Sequence, residues 1–123
     1  MMSGVSVRAV RGAITVDEDS PDAIREATAE LLGALLERNG LAPDDLISMI
    51  FTTTPDLRAE FPAVAAREIG LSQVPLLCAS EINVPGALGL CIRVMVHAEL
   101  PDGAVVRHTY LRDARQLRTD LSE

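Results

Sequence analysis

The sequence is poor in aromatic residues and contains no lysine. Aromatic residues make up 2% of the 123 positions, so a core must be built from Ala, Val, Leu and Ile among the 48% of apolar residues. All 11 cationic side chains are arginine, which a GC-rich genome would explain. The absence of lysine excludes chemistry in which a lysine amine forms a Schiff base with the substrate.

Cysteines and long apolar runs are also scarce. Two cysteines and two histidines do not have the spacing of a recognisable zinc site. No apolar stretch reaches 18 residues, and no basic segment followed by a long apolar run opens the chain, so neither a membrane span nor a secretion signal is expected. We therefore expect a soluble cytoplasmic protein.

The charge and the length limit the class of protein further. A net charge of -7 argues against a broad basic surface for nucleic acid. It does not attract anionic ligands at long range, so any anion site must be local. A chain of 123 residues is expected to form a single domain over residues 1–123.

Two helices are predicted from capping residues and apolar periodicity. Ser20, Pro21 and Asp22 form a helix start, because the serine can cap, proline suits the first helical position and aspartate complements the dipole. Apolar residues then recur at helical spacing for roughly 18 residues, and residues 39–40 (Asn-Gly) end the helix. A short second helix is predicted over residues 61–70.

Strands are predicted where apolar and β-branched residues alternate or cluster. Apolar and polar residues alternate over residues 5–11, and residues 13–16 follow after Gly12. Further strands are predicted over residues 46–54, 74–78, 90–100 and 104–111, and the last two are expected to pair as a hairpin. Residues 85–89 are expected to form a tight turn or one helical turn. The tail is expected to add one or two strand residues around 114–117.

These elements predict an α+β domain, with a mixed sheet of about five strands packed on one long helix plus a short helix. One long helix cannot cover both faces of such a sheet. The uncovered face needs a partner, and self-association is the simplest way to supply one.

The polar residues of greatest interest lie within residues 74–96. Glu81 ends one apolar run, and Arg93 lies twelve residues later inside another. An ionised arginine in a buried strand is costly unless an anion meets it. Arg93 could lie on a wet edge or form a structural ion pair with Glu81, which the spacing alone favours. Alternatively, its guanidinium could hold a carboxylate or an ether oxygen of a ligand.

Most other familiar catalytic patterns are missing from the sequence. There is no paired-carboxylate signature, no phosphate-binding glycine loop and no HExxH-type motif. His97 and His108 are expected to be structural, and Cys78 to be a small core residue or weak donor. The polar set that is left could bind an anion and orient a hydroxyl group, and it comprises Arg11, Arg67, Glu81, Arg93 and Tyr110.

Several motifs together resemble those of one enzyme family, the AroH-class chorismate mutases. The opening residues 7–16 (VRAVRGAITV) are similar to the start of that family. The resemblance then continues in order and without large gaps along nearly the whole chain, through residues 54–57 (TPDL), 61–63 (FPA), 74–75 with Cys78 and Glu81, 91–95 (CIRVM), 107–111 (RHTYL), 117–118 and 120–121.

The resemblance implies an activity and an assembly. Members of the family convert chorismate to prephenate, on the route to phenylalanine and tyrosine, without a cofactor or metal. They are homotrimers that form a pseudo-α/β barrel, with active sites in clefts between subunits. This expectation agrees with the uncovered sheet face.

The resemblance also implies roles for individual residues. Arg93 is expected to contact the ether oxygen and a carboxylate of chorismate. Arg11 and Tyr110 are expected to bind carboxylates, and Glu81 is expected to bind the ring hydroxyl. The neighbouring subunit is expected to supply Cys78, Leu77, Phe61 and Ala63. Further residues expected to line or close the site are Arg67, Leu76, Leu117 and Arg118.

Two positions depart from the family pattern, and two other functions compete. Val64 stands where members often carry lysine, and Leu77 where they often carry threonine, so binding could be weaker while the chemistry is kept.

A RidA-like imine deaminase also uses an arginine for a carboxylate, but its signature motifs are not present. A metabolite-binding module without catalysis would use the same arginines only to sense an acid.

Overall fold

The computed structural model describes residues 4–118. In chain order its main elements are β1 (Val5–Thr15), α1 (Pro21–Arg38), β2 (Leu46–Thr53), α2 (Pro62–Glu68), β3 (Leu76–Ser80), β4 (Cys91–Pro101) and β5 (Thr109–Leu111), with 3-10 helices at Pro43–Asp45 and Arg112–Arg118. The matched tail positions Asp120 and Leu121 lie outside the described residues.

The five strands form one mixed sheet in the order β3-β2-β4-β1-β5. The central strand β4 is antiparallel to both β1 and β2, whereas the edge strands β3 and β5 run parallel to their neighbours. Both helices pack against the same side of this sheet. The predicted α+β class, the number of strands and the pair of helices are therefore confirmed.

Helix α1 has the predicted length of 18 residues. The Ser20 hydroxyl oxygen accepts a hydrogen bond from the Ala23 N–H at 3.1 Å, and Pro21 occupies the first turn, so the helix starts where capping predicts. Its apolar stripe is fully buried against the sheet and includes Ile24, Ala27, Leu31, Leu32 and Leu35. Burial of this stripe, rather than helix propensity alone, holds the helix in place.

Gly12 allows α1 to approach β1 closely. A Cβ atom at this position would come within 3.0 Å of Leu35, 3.1 Å of Leu31 and 3.1 Å of the Thr109 carbonyl oxygen. A side chain here would therefore press on the helix and on β5 at once, and both would have to shift by a few tenths of an ångström. Strand β1 continues through Gly12 to Thr15, because β4 and β5 pair with it on both sides.

The predicted hairpin between residues 90–100 and 104–111 is wrong. Both edges of β4 are taken by β1 and β2, so the returning chain cannot pair with it. It runs instead to the far side of β1, where Thr109–Leu111 adds three residues of parallel strand. Residues 114–117 are also not a strand. They lie in the 3-10 helix Arg112–Arg118, in which Ala114 and Leu117 pack on the same cluster at the i, i+3 spacing of such a helix.

The remaining boundaries differ by a few residues. Strand β3 begins at Leu76 rather than Val74, and α2 covers only Pro62–Glu68 of the predicted residues 61–70. The segment 85–89 forms a turn with Gly86 at a φ of 82°. Within residues 4–118, none of the helices has the length and apolar character needed to cross a membrane.

Candidate active site

The two faces of the sheet carry different kinds of residue. Gly12 faces α1, and it pairs with Val94 of β4, which in turn pairs with Phe51 of β2. Because side chains alternate along a strand, the neighbours of these residues point to the other face, which neither α1 nor α2 covers. We call this the open face, and Arg11 and Arg93 lie on it.

A cavity of about 380 Å³ lies on the open face. It is bordered by four strands, β1, β2, β4 and β5, so rigid backbone places each polar group. Arg93 pairs in register with Thr52 on one side and with Ala13 on the other, while Ala13 pairs with Tyr110. The side chains that line it come from Arg11, Ile50, Thr52, Arg93, Met95, His97 and Tyr110, among others.

Glu81 and Arg93 form an ion pair at the edge of this cavity. Arg93 Nε lies 3.2 Å from Glu81 Oε2, and the same carboxylate oxygen accepts a hydrogen bond from the Thr52 hydroxyl at 2.6 Å. Arg93 Nε is nevertheless buried without a hydrogen-bond partner among the described residues. The carboxylate neutralises the guanidinium but leaves one of its N–H groups available for an acceptor.

The thiol of Cys91 lies behind this ion pair, and it is fully buried. Burial raises the pKa of Cys91 to about 11, although the nearby charge of Arg93 acts in the opposite direction. The thiol is therefore neutral at physiological pH and is an inert part of the small cluster that also holds Ala13, Tyr110 and Ala114.

Arg11 lies at the other end of the cavity, beside the start of β5. Its side chain is exposed, whereas its backbone N–H donates a hydrogen bond to Nδ1 of His108 at 3.0 Å. Tyr110 follows His108 by two residues and is 4% exposed. Strand β5 is thus short, but it brings a tyrosine to the cavity that the two arginines line.

A second cavity, of about 290 Å³, lies on the side of the sheet that faces α2. Cys78 pairs with Phe51 and packs on the main core, so it points away from the open face. Phe61 is 66% exposed at the mouth of this cavity. Other lining residues include Arg58, Glu60, Ala79 and Ser80.

The loop before α2 is tied to the start of α1. The Asp19 carboxylate accepts hydrogen bonds from the backbone N–H groups of Arg58 at 2.8 Å and Ala59 at 2.9 Å. Glu60 is held by Arg25 at 3.2 Å. These contacts fix the loop that leads to Phe61, so the second cavity is shaped before any ligand arrives.

The structure therefore divides the predicted site residues between two faces. Arg11, Arg93 and Tyr110 line the open-face cavity, and Glu81 joins them through its ion pair. Leu117 packs behind Tyr110. The helix side carries Phe61, Cys78 and Leu76, with Ala63 buried and Arg67 exposed on α2.

One predicted residue, Leu77, sits apart from the group assigned to it, and Arg118 lies near the open-face group. Leu77 pairs with Ile50 and is 63% exposed on the open face, opposite to Cys78. Arg118 acts electrostatically on His108, near Arg11. Within one chain, therefore, the open-face residues and the helix-side residues do not meet in a single cavity.

Several polar residues in or beside these cavities were not among the predicted site residues. Thr52 in the first cavity holds Glu81, and Arg58 lines the second. His108 lies beside Arg11 and accepts from its backbone N–H. The threonine run at 52–54 resembled ordinary strand composition. Arg58 directly follows the matched residues 54–57, and that adjacency is the signal that could have found it.

Comparison with known proteins agrees with the resemblance seen in the motifs. The sequence profile described as chorismate mutase type I matches residues 7–121. The chorismate mutase AroH of Thermus thermophilus is 52% identical over 118 residues, which is 94% of this chain and 96% of that relative. The chorismate mutase AroH of Bacillus subtilis (strain 168) is 43% identical over 119 residues, covering 94% of this chain and 93% of that relative.

A solved structure shows the same fold. A chorismate mutase from Clostridium thermocellum superposes with a TM-score of 0.85 at 47% identity, covering 89% of this chain and 99% of that chain. These similarities favour a mutase over the imine deaminase and the non-catalytic binding module. The chain belongs to the type I chorismate mutase family and is an enzyme of that activity.

Proposed function

We propose that this enzyme rearranges chorismate to prephenate in a cleft formed by two copies of the chain. The open face of one copy would supply Arg11, Glu81, Arg93 and Tyr110. The helix side of the next would supply the wall around Cys78. The observation that carries the proposal is that these two sets lie on opposite faces of one sheet, so a single chain cannot bring them to one ligand.

Arg93 is proposed to act on the ether oxygen of chorismate. Its buried Nε–H lacks an acceptor among the described residues, which supports a role in binding an oxygen that the ligand brings. Negative charge grows on the ether oxygen as the C–O bond breaks. A fixed guanidinium there stabilises the transition state more than the ground state, and that difference raises the rate.

Glu81, Arg11 and Tyr110 are proposed to orient the substrate. Glu81 already accepts from Thr52 and faces Arg93, and a carboxylate has further acceptor positions for the ring hydroxyl. Arg11 and Tyr110 at the other end of the cavity would bind a carboxylate. Holding chorismate in the compact chair-like conformer supplies part of the acceleration, because the reacting carbons must meet.

The second wall is proposed to come from the neighbouring copy. Cys78, Phe61, Ala63 and Leu76 would enclose the ring, and Cys78 would act as a weak donor rather than a nucleophile. Arg67 and Arg118, with Leu117, would close the site over the dianion. Val64 leaves the α2 part of this wall without the family's lysine, and Arg58 is a cation among the residues that line the second cavity.

A closed homotrimer is the proposed assembly, because heterologous contacts between unlike faces close only in a ring. The exposed apolar side chains Ile50 and Leu77 on the open face support it.

The cytoplasm is the proposed location of the enzyme.

Substitution of Ile50 tests this assembly. Ile50→Glu places a charge on the open face and should abolish both the trimer, by light scattering, and the ultraviolet loss of chorismate. Gly33→Glu is the matched control, because a Cβ at position 33 of α1 meets no atom within 4 Å. A monomeric Ile50→Glu enzyme with full activity would contradict the shared site.

A further inference from the structure

His108 makes an unusual contact with β1. Strand β5 pairs with β1 only over Gly12, Ala13 and Ile14, and its first pair joins Gly12 to Thr109. One step earlier, the partner of the Arg11 N–H is not a backbone carbonyl. It is Nδ1 of the His108 ring, at 3.0 Å. The ring thus extends the ladder by one hydrogen bond at the residue whose side chain enters the open-face cavity.

This contact requires a neutral imidazole. Nδ1 can accept only when it carries no proton, so the ring proton must sit on Nε2. A protonated ring would turn an N–H toward the N–H of Arg11 and leave that backbone group unpaired.

The surroundings of the ring keep it in the required state. Burial lowers the pKa of His108, and the cations around it, Arg11 and Arg8 of β1 and Arg118 of the C-terminal 3-10 helix, lower the pKa further. The folded-state pKa lies below the ordinary value, so the contact is complete at neutral pH and is lost as the pH falls through the lowered value.

We propose that His108 is a positioning residue, whose neutral ring fixes the backbone of Arg11 so that the guanidinium meets a carboxylate of the substrate. The inference rests on the proposed role of Arg11 in substrate binding. His108 itself does not touch the reacting atoms. It acts through the strand, because a shift of the Arg11 backbone would move the guanidinium away from its fork geometry.

Two variants separate the acceptor from the ring. In His108→Asn an amide oxygen can still accept from the Arg11 N–H and does not titrate, whereas His108→Leu fills the space without an acceptor. We expect His108→Leu to raise KM for chorismate about tenfold while kcat changes less, the size of one lost hydrogen bond. His108→Asn should stay within about threefold of wild type.

The pH profile gives a second test that a merely structural role would not move. Between about pH 5 and pH 8 the substrate carboxylates stay ionised. The KM of the wild type should rise as the pH falls through the lowered pKa of His108 and the ring gains a proton, and that rise should be absent in His108→Asn. If KM instead falls toward pH 5, protonation acts through its positive charge alone and the inference is overturned.

The same measurements distinguish the two ways in which the account can fail. Arg11→Gln should raise KM at least as much as His108→Leu does. If Arg11→Gln keeps the wild-type KM, the proposed role of Arg11 is wrong and the positioning role falls with it. If Arg11→Gln weakens binding but His108→Leu loses only thermal stability, the ring is structural and only the present inference is overturned.

Discussion

Removal of the Arg93 side chain is the perturbation that bears most directly on the chemistry. Arg93→Ala takes away the guanidinium whose buried Nε–H lacks an acceptor among the described residues. The side chain is 43% exposed and contributes nothing to the main core, so the fold should persist. The variant leaves Glu81 bonded to Thr52, with its charge no longer compensated by Arg93.

The expected loss follows from two independent estimates. Loss of one oxyanion-hole donor costs about 3–4 kcal/mol, or a factor of about 10²–10³ in kcat. Two full unit charges about 4 Å apart, at an effective dielectric constant near 20, interact by about 4 kcal/mol, which is an upper bound because the ether oxygen gains only part of a charge. Together these figures place the barrier increase at about 3 kcal/mol.

The assay compares single and double variants by ultraviolet loss of chorismate. Arg93→Lys should rescue Arg93→Ala poorly, because an ammonium group lacks the planar fork. Glu81→Gln should be harmful alone but partly restore the Arg93→Ala enzyme, since it removes an uncompensated carboxylate that repels the dianion. Near wild-type turnover in Arg93→Ala, with circular dichroism unchanged, would refute the reasoning.

Other predictions concern the cysteines and the packing of β1. Cys78→Ser should retain much of the activity, and a thiol reagent should label Cys78 in the native protein but reach Cys91 only after unfolding. The raised pKa of Cys91 contributes stability below about pH 9 that is lost as the pH rises toward about 11. The free energy of unfolding should therefore fall by about 2–3 kcal/mol over this range, and the fall should be smaller in Cys91→Ala. Gly12→Ala should cost about 1–3 kcal/mol in urea unfolding, because the methyl group meets Leu31 and Leu35.

Local signals in the sequence were sufficient for the helices and for most strands. The cap at Ser20 and the apolar stripe of α1 are short-range features, and they predicted the start, the approximate length and the end of this helix. The long-range pairing of β5 was not predictable in this way. Residues 101–103 have the composition of a hairpin turn, but which edge of the sheet is vacant depends on β2, which is distant in sequence.

The candidate site shows the same division. Alternation along β4 places Arg93 opposite the buried Val94, which a pattern can indicate. The opposite faces of Arg93 and Cys78 depend on the register of β3 with β2 and of β2 with β4. Register is fixed by packing across the sheet, so Thr52 as the partner of Glu81 could not be read from one strand alone.

Subunit mixing tests directly whether each active site is shared between two chains. Arg93→Ala removes the charge of the first wall, and Cys78→Asp places an anion in the second wall, where it should repel the dianion. Each variant alone should be inactive. The two are unfolded and refolded together in equal amounts, and mixed trimers are verified by mass.

Random assembly of a cyclic trimer gives each site about a one-in-four chance of drawing both intact walls, so activity should return to about a quarter of wild type. As a control, wild type mixed equally with the double variant should also give about a quarter, against about a half if one chain supplied both walls. A mixture of the single variants that stays inactive, although mixed trimers are present, would contradict the shared site.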